Sequence, residues 1–275
     1  MANMNPFLAS IHDKLVNFYG PMPPPTEDPL RKLASRLFKS EKYSDIMVAC
    51  KGHKWFAHRM VLESSSGFFE KRFKEAWTKD RVGVDSIDLD DDEEPQVDAM
   101  LEFIYTGNYS AFALVMQNDP ETGEPPAKKA RLAHDQEPES GTAASSSGNS
   151  EIEPDTEDIK EALHFHINMY LLGDKYACKD LCNKAVDKIV EILDHDWVFV
   201  SNTFSSCIPL IFGNTIAPGD GLRLAFTYFA GVQYYLLLHK DPDFDDVLRR
   251  YPEFTTGTLA QVLHLNGAIA RRPHL

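Results

Sequence analysis

Residues 43–73 read YSDIMVACKGHKWFAHRMVLESSSGFFEKRF, and this stretch decides the fold. From Asp45 to Cys50 apolar and other residues alternate, so Ile46, Val48 and Cys50 fall on one face of a strand. Lys51-Gly52 supplies a turn, and Trp55-Phe56 sit in a short second strand. The chain then enters helix near His58, and that helix carries Phe68, Phe69 and Phe73. Ser64, Ser65 and Ser66 read as helix-entry residues, because a serine oxygen can accept a hydrogen bond from an unpaired first-turn amide. A strand pair running straight into an aromatic helix predicts an interaction fold, not a catalytic one.

Several dispersed motifs, in order, carry a family resemblance. Ser44-Asp45 opens a strand; Phe56-Ala57-His58-Arg59, Val61-Leu62, the serine cluster and Phe68-Phe69 follow. Together they resemble the BTB/POZ family. Ile104-Tyr105-Thr106-Gly107 is similar to that family's helix exit, and Leu171 to Tyr176 followed by Asp180-Leu181-Cys182 is similar to its last helical hairpin. The resemblance covers residues 28–109 and 158–193. It implies an α+β fold, a small mixed sheet covered by α-helices, here followed by a C-terminal helical extension.

A chain of 275 residues with 43% hydrophobic content can bury a substantial core. Its formal charge of −14 argues against direct nucleic-acid binding, which requires a basic surface that displaces counterions from phosphates. Cys50, Cys178, Cys182 and Cys207, with no secretory apolar stretch after Met1, predict free thiols in a reducing intracellular compartment, nucleus or cytoplasm. The longest apolar runs fall far short of the roughly 20 residues that cross a bilayer, so no membrane span is expected.

The domain plan follows composition. Residues 1–27 form a flexible N-terminal segment with an amphipathic piece (Phe7, Leu8, Ile11, Leu15, Phe18) that stops at Gly20 and a proline cluster. Residues 28–193 are expected to form the domain that resembles BTB/POZ. Within it, residues 117–157 are rich in Pro, Glu, Ser, Gly and Thr and predict a disordered insertion, tolerable because loop-closure entropy grows slowly with length. Residues 194–265 read as three helical pieces, around 197–212, 220–239 and 244–265, and 266–275 as a tail. The helical part is either a divergent form of the helices that follow the core in cullin-recruiting relatives or a self-standing cap.

From Asp28 to Phe38, Leu30, Leu33 and Leu37 recur at helical spacing behind Pro29. In BTB relatives this helix packs across a homodimer interface, so the resemblance implies that role for the three leucines; a stripe facing the monomer core fits the same spacing. Val82 to Leu89 predicts a strand. The acidic run from Asp88 to Glu94 lacks the glycine and downstream glutamate of an EF-hand loop and reads as a solvated loop complementing the next helix N-terminus. That helix carries Val97, Met100, Leu101, Ile104 and Tyr105 on one side and is capped by Gly107.

Phe73-Lys74-Glu75 matches, in residues and position, the apolar-any-acidic pattern by which BTB adaptors contact a cullin; the competing reading is a helix end whose phenylalanine packs into the core. Asp45 and Arg59 fall on the charged pocket of repressor-type relatives, or form a fold-supporting pair. His58 reads as a structural histidine. Cys178 and Cys182 with His164 and His166 are metal-capable, but their spacing fits no zinc site, so no metal or other cofactor is expected. Lys128, Lys129 and Arg131 form a basic cluster in the acidic insertion, read as a nuclear localisation signal or as local charge balance. No phosphate-binding glycine loop, G-x-S-x-G or HExxH occurs, and no enzyme is expected. The sequence therefore predicts a non-catalytic protein-protein interaction protein that self-associates. It serves either as a substrate adaptor for a cullin-RING ubiquitin ligase or as a nuclear, transcription-associated scaffold without a cullin.

Overall fold

The computed structural model describes residues 29–78, 86–110, 156–195, 203–214 and 220–270. Its order is α1 (Pro29–Ser35), β1 (Ile46–Cys50), β2 (His53–Ala57), α2 (Arg59–Ser65), α3 (Gly67–Thr78), β3 (Ser86–Asp88), α4 (Glu94–Thr106), α5 (Thr156–Lys175) and α6 (Lys179–His195). The extension adds α7 (Phe204–Asn214), α8 (Gly221–Val232), α9 (Tyr234–Lys240), α10 (Phe244–Arg250) and α11 (Pro252–Ala270). This is the expected α+β architecture, a small mixed sheet with helices around it.

The sheet has strand order β2-β1-β3, antiparallel between β1 and β2 and parallel between β1 and β3, with Val48 opposite both Trp55 and Ile87. Positive φ at both Lys51 (48°) and Gly52 (91°) makes the hairpin a two-residue turn of the type whose twist matches its strands. The alternation of β1 buries Ile46, Val48 and Cys50. Of the strand expected from Val82 to Leu89, residues 86–88 are paired, and residues 82–85 lie outside the described residues.

The single helix expected after the hairpin is two. Ser66 is extended (φ −144°, ψ 120°), and its hydroxyl accepts from the Phe69 amide at 3.3 Å while donating to the Tyr176 carbonyl at 2.6 Å. The Gly67 amide donates to the Ala177 carbonyl at 3.2 Å. Carbonyls of the α5-α6 turn thus take up donors at the start of α3, and the chain breaks helix to reach them. The helix expected over 28–38 also ends early, at Ser35; Leu37 and Phe38 lie in turns that follow, and Lys39 has φ 55°. Leu33 and Leu37 therefore do not share one helical stripe.

Helix α4 ends as expected: Gly107 adopts φ 77°, and its amide donates to the Phe103 carbonyl at 2.7 Å. A β-carbon there would also strike the Arg31 guanidinium of α1. Helix α5 is the central element, packing on α4, α6 and α7.

Among the described residues the extension has five helices where three pieces were expected, because α8 and α9 part at Gln233 and α10 and α11 part at Tyr251. Phe204, Phe226, Phe244 and Phe254 meet in its centre, with Phe204 and Phe226 rings 5.2 Å apart. Helices α8 and α11 approach so closely that a β-carbon at Gly231 would lie 2.5 Å from Gln261 Cβ, and one at Gly257 2.7 Å from Thr227 Cγ2. Two side-chain bonds dock this region on α5: Tyr170 donates to Asp220 at 2.9 Å, and His164 Nε2 meets Ser206 Oγ at 2.9 Å. Among the described residues no helix is long and apolar enough to cross a membrane.

Candidate protein-interaction surfaces

The strand-to-helix junction is set by His58. Its Nε2 lies 2.8 Å from the Lys42 carbonyl, which can only accept, so the proton is on Nε2 and Nδ1 accepts from the Tyr105 hydroxyl at 2.9 Å. The Tyr105 oxygen in turn accepts from the His58 amide at 2.9 Å. Burial pushes the Tyr105 hydroxyl up to about 12, so it keeps the proton this clasp needs. Both polar ends of the imidazole are engaged, which gives His58 a structural role.

Asp45 and Arg59 meet at the same junction. The Arg59 amide, at the start of α2, donates to Asp45 Oδ1 at 2.8 Å, and Arg59 Nε donates to the Asp45 carbonyl at 3.1 Å. Asp45 thereby caps α2 from outside the helix. Its side chain is exposed. The guanidinium continues over the Phe73 ring, 5.4 Å from its centre.

Phe73 is only 8% exposed, stacked on Phe69 at 6.2 Å beneath Arg59. Its neighbour Lys74 is exposed and pairs with Glu70 one turn earlier. Glu75 belongs to α3, but its side chain lies outside the described residues. The arrangement presents charge at this position while the phenylalanine ring is packed inward, as the competing core reading required.

The α1 face is divided. Leu37 is half-buried against the core together with Ala34 and Phe38, whereas Leu33 is 55% exposed. The Leu30 side chain lies outside the described residues. Tyr43 and Met60, 76% and 80% exposed, flank the junction where the 42–45 segment meets the start of α2. Lys128, Lys129 and Arg131 also lie outside the described residues.

The acidic run is less solvated than its composition suggests. Asp92 is buried, accepting from Lys175 at 2.7 Å and from the Tyr176 hydroxyl, while its carbonyl accepts from Cys50 Sγ at 3.4 Å. Burial, with the Asp92 carboxylate beside it, pushes the Tyr176 hydroxyl well above its ordinary value. Lys51 reaches back to Glu93 at 2.6 Å and His53 to Glu94 at 3.0 Å, so the loop ties the hairpin turn to α5. No helical or strand period marks Asp92 as the buried member.

The metal-capable residues face separate partners. His166 Nδ1 meets the Tyr109 hydroxyl at 2.9 Å, His164 meets Ser206, and Cys182 Sγ meets the Tyr170 carbonyl at 3.5 Å. Burial, reinforced by Lys188, lowers His166 to about 4, and burial raises the Cys178 and Cys182 thiols to about 11 and about 12. All four cysteines are free, buried thiols. Among the described residues no group of three His, Cys, Asp or Glu side chains is arranged to hold a metal ion.

A small mixed sheet enclosed by helices makes this an α+β domain. Residues 34–118 match the family model of the BTB/POZ domain. The chain carries a BTB/POZ domain, and that domain is a module for protein-protein interaction. No curated protein matches the chain.

Proposed function

We propose that this is a non-catalytic interaction protein that self-associates through the α1 side of its BTB/POZ domain and recruits partners through the helices after it. What supports this is the place of Leu33, 55% exposed on a helix that otherwise docks onto α4, where the family resemblance puts a homodimer interface. Leu30 belongs to the same proposed interface and Leu37 to its inner edge. A second copy covers it most simply, since closed two-fold dimers are the commonest assembly. Light scattering on the full chain tests this.

Within that function, a cullin-RING ligase adaptor role rests on Lys74 and Glu75 at the end of α3, with Phe73 behind them. Because Phe73 is core, Phe73→Ala costs about 3–5 kcal/mol of stability, and loss of binding in that variant would be uninformative. Glu75→Lys is the useful change. On the adaptor reading the purified chain binds a cullin N-terminal domain and loses that binding with Glu75→Lys; no binding by the wild type removes the adaptor role. The burial of Phe73 beneath Arg59 favours the second reading, a nuclear scaffold that binds no cullin. For that reading Lys128, Lys129 and Arg131 direct nuclear import, and replacing all three with alanine should shift a fluorescent fusion to the cytoplasm.

A further inference from the structure

Between α7, α8 and the first turn of α11 lies an open cavity of about 390 Å³, within the range of ligand-binding clefts. Phe212, Leu224 and Pro252 give it an apolar lining, and Arg223 and Glu253 supply charges of opposite sign. Arg223 is 7% exposed, which is unusual for an arginine. Two contacts fix its orientation from within: the guanidinium stacks on Phe212, 4.9 Å from the ring centre, and Nη2 donates to the Phe212 carbonyl at 3.2 Å. Nη1 donates to Glu253 at 2.6 Å. The hydroxyls of Thr227 and Thr256, also lining the cavity, are engaged by carbonyls of their own helices.

The two ends of the Arg223–Glu253 pair differ sharply in environment. Glu253 is 69% exposed, so its carboxylate can return to water at little cost, whereas the Arg223 side chain, 8% exposed, stays in place to receive another. We propose that this cavity receives a segment of a partner protein that presents an Asp or Glu beside an aliphatic residue. The partner carboxylate replaces that of Glu253 on Arg223, and the aliphatic side chain lies against Leu224 and Pro252. Exchange of one carboxylate for another leaves the charge at Arg223 balanced, and the planar fork held over Phe212 supplies paired donors. In the free protein Glu253 stands in for the ligand. The inference rests on the reading that the extension recruits partners, and it names their chemistry.

The test pans a random dodecapeptide phage library on the full chain, then measures binding of the most enriched synthetic peptide by fluorescence anisotropy. The expected result is enrichment of sequences with an acid beside an aliphatic residue. The synthetic peptide should bind about tenfold more weakly when its acid is changed to the amide, or when the protein carries Arg223→Met. It should bind more tightly to Glu253→Gln, which removes the internal competitor. Enrichment without an acid, or equal affinity for the acid and amide peptides, would overturn the proposal even if Arg223→Met fails to fold, as would unchanged binding by a folded Arg223→Met. Light scattering on the same proteins separates the two readings: peptide binding lost with self-association intact refutes the pocket alone.

Discussion

Around the sheet, buried polar groups from distant segments clasp one another: His58 with Tyr105 and Lys42, Asp92 with Tyr176 and Lys175, Ser66 with Tyr176. In residues 203–270 such clasps also occur, Asp241 accepting from the Ser205 amide at 2.9 Å and Arg223 donating to the Phe212 carbonyl at 3.2 Å, but the centre is built of rings and a close helix crossing, with Phe204, Phe226, Phe244 and Phe254 in the middle and Gly231 and Gly257 at the contact. Hydrogen bonds fix direction and penalise any alternative that leaves them unmade. Ring packing fixes volume and admits small adjustments. Both regions use both devices, but the first leans more on directed hydrogen bonds and the second more on ring fit, and α5 couples them through Tyr170 and His164.

The strongest way to break this contrast is to open each core. Phe69→Ala beside the sheet and Phe226→Ala in the extension should each cost about 3–5 kcal/mol. Both should lower one shared urea transition, because α5 serves both regions. Two separate transitions would mean that the extension folds independently. The helix crossing comes next: Gly257→Ala and Gly231→Ala should each cost about 1–3 kcal/mol, because the new methyl meets the facing helix. Gly213→Ala, with open space around it, should be neutral or slightly stabilising.

Tyr105→Phe sharpens the other side of the comparison. It removes the donor to His58 Nδ1 and the acceptor for the His58 amide, leaving buried polar atoms unpaired, for about 1–3 kcal/mol by chemical denaturation. A cost near zero would reduce the clasp to simple packing.

The smallest effect is a pH dependence. Folded His166 stays neutral down to about 4, while in the unfolded chain it takes up a proton near the ordinary histidine value of 6.5. The unfolded state then binds more protons in between, so this contribution is complete above 6.5 and is lost as pH falls towards 4, by up to about 1.4 kcal/mol per pH unit. His164, also lowered by burial, acts in the same sense, and Asp241, raised by burial, acts against it. Comparing His166→Gln with wild type between pH 7 and 5 isolates the one group, and the variant should show the flatter profile.

The same contrast explains what the sequence made legible. Period-two alternation in β1, the Lys51-Gly52 turn and the Gly107 cap are local signals, and each stands where its residues predict. The break at Ser66 was invisible because its cause, a pair of carbonyls at Tyr176 and Ala177, lies more than a hundred residues away. The end of α8 was missed because Gln233 is no helix breaker, whereas the end of α10 was legible in Pro252, which disfavours helix at Tyr251 and opens α11 at its first position. Among candidate site residues, the pairing of Asp45 with Arg59 was readable, but not that an amide rather than the guanidinium meets the carboxylate. Arg223 carried no signal at all, since its burial is made by Phe212 and by α11.

The central claim is that an exposed α1 face covers itself with a second copy. Light scattering on the full chain should give twice the chain's 31.1 kDa, and Leu33→Asp, a change at an exposed position that leaves the core intact, should return it to the single-chain mass. A wild-type mass of 31.1 kDa, or a Leu33→Asp protein that remains dimeric, would contradict the account.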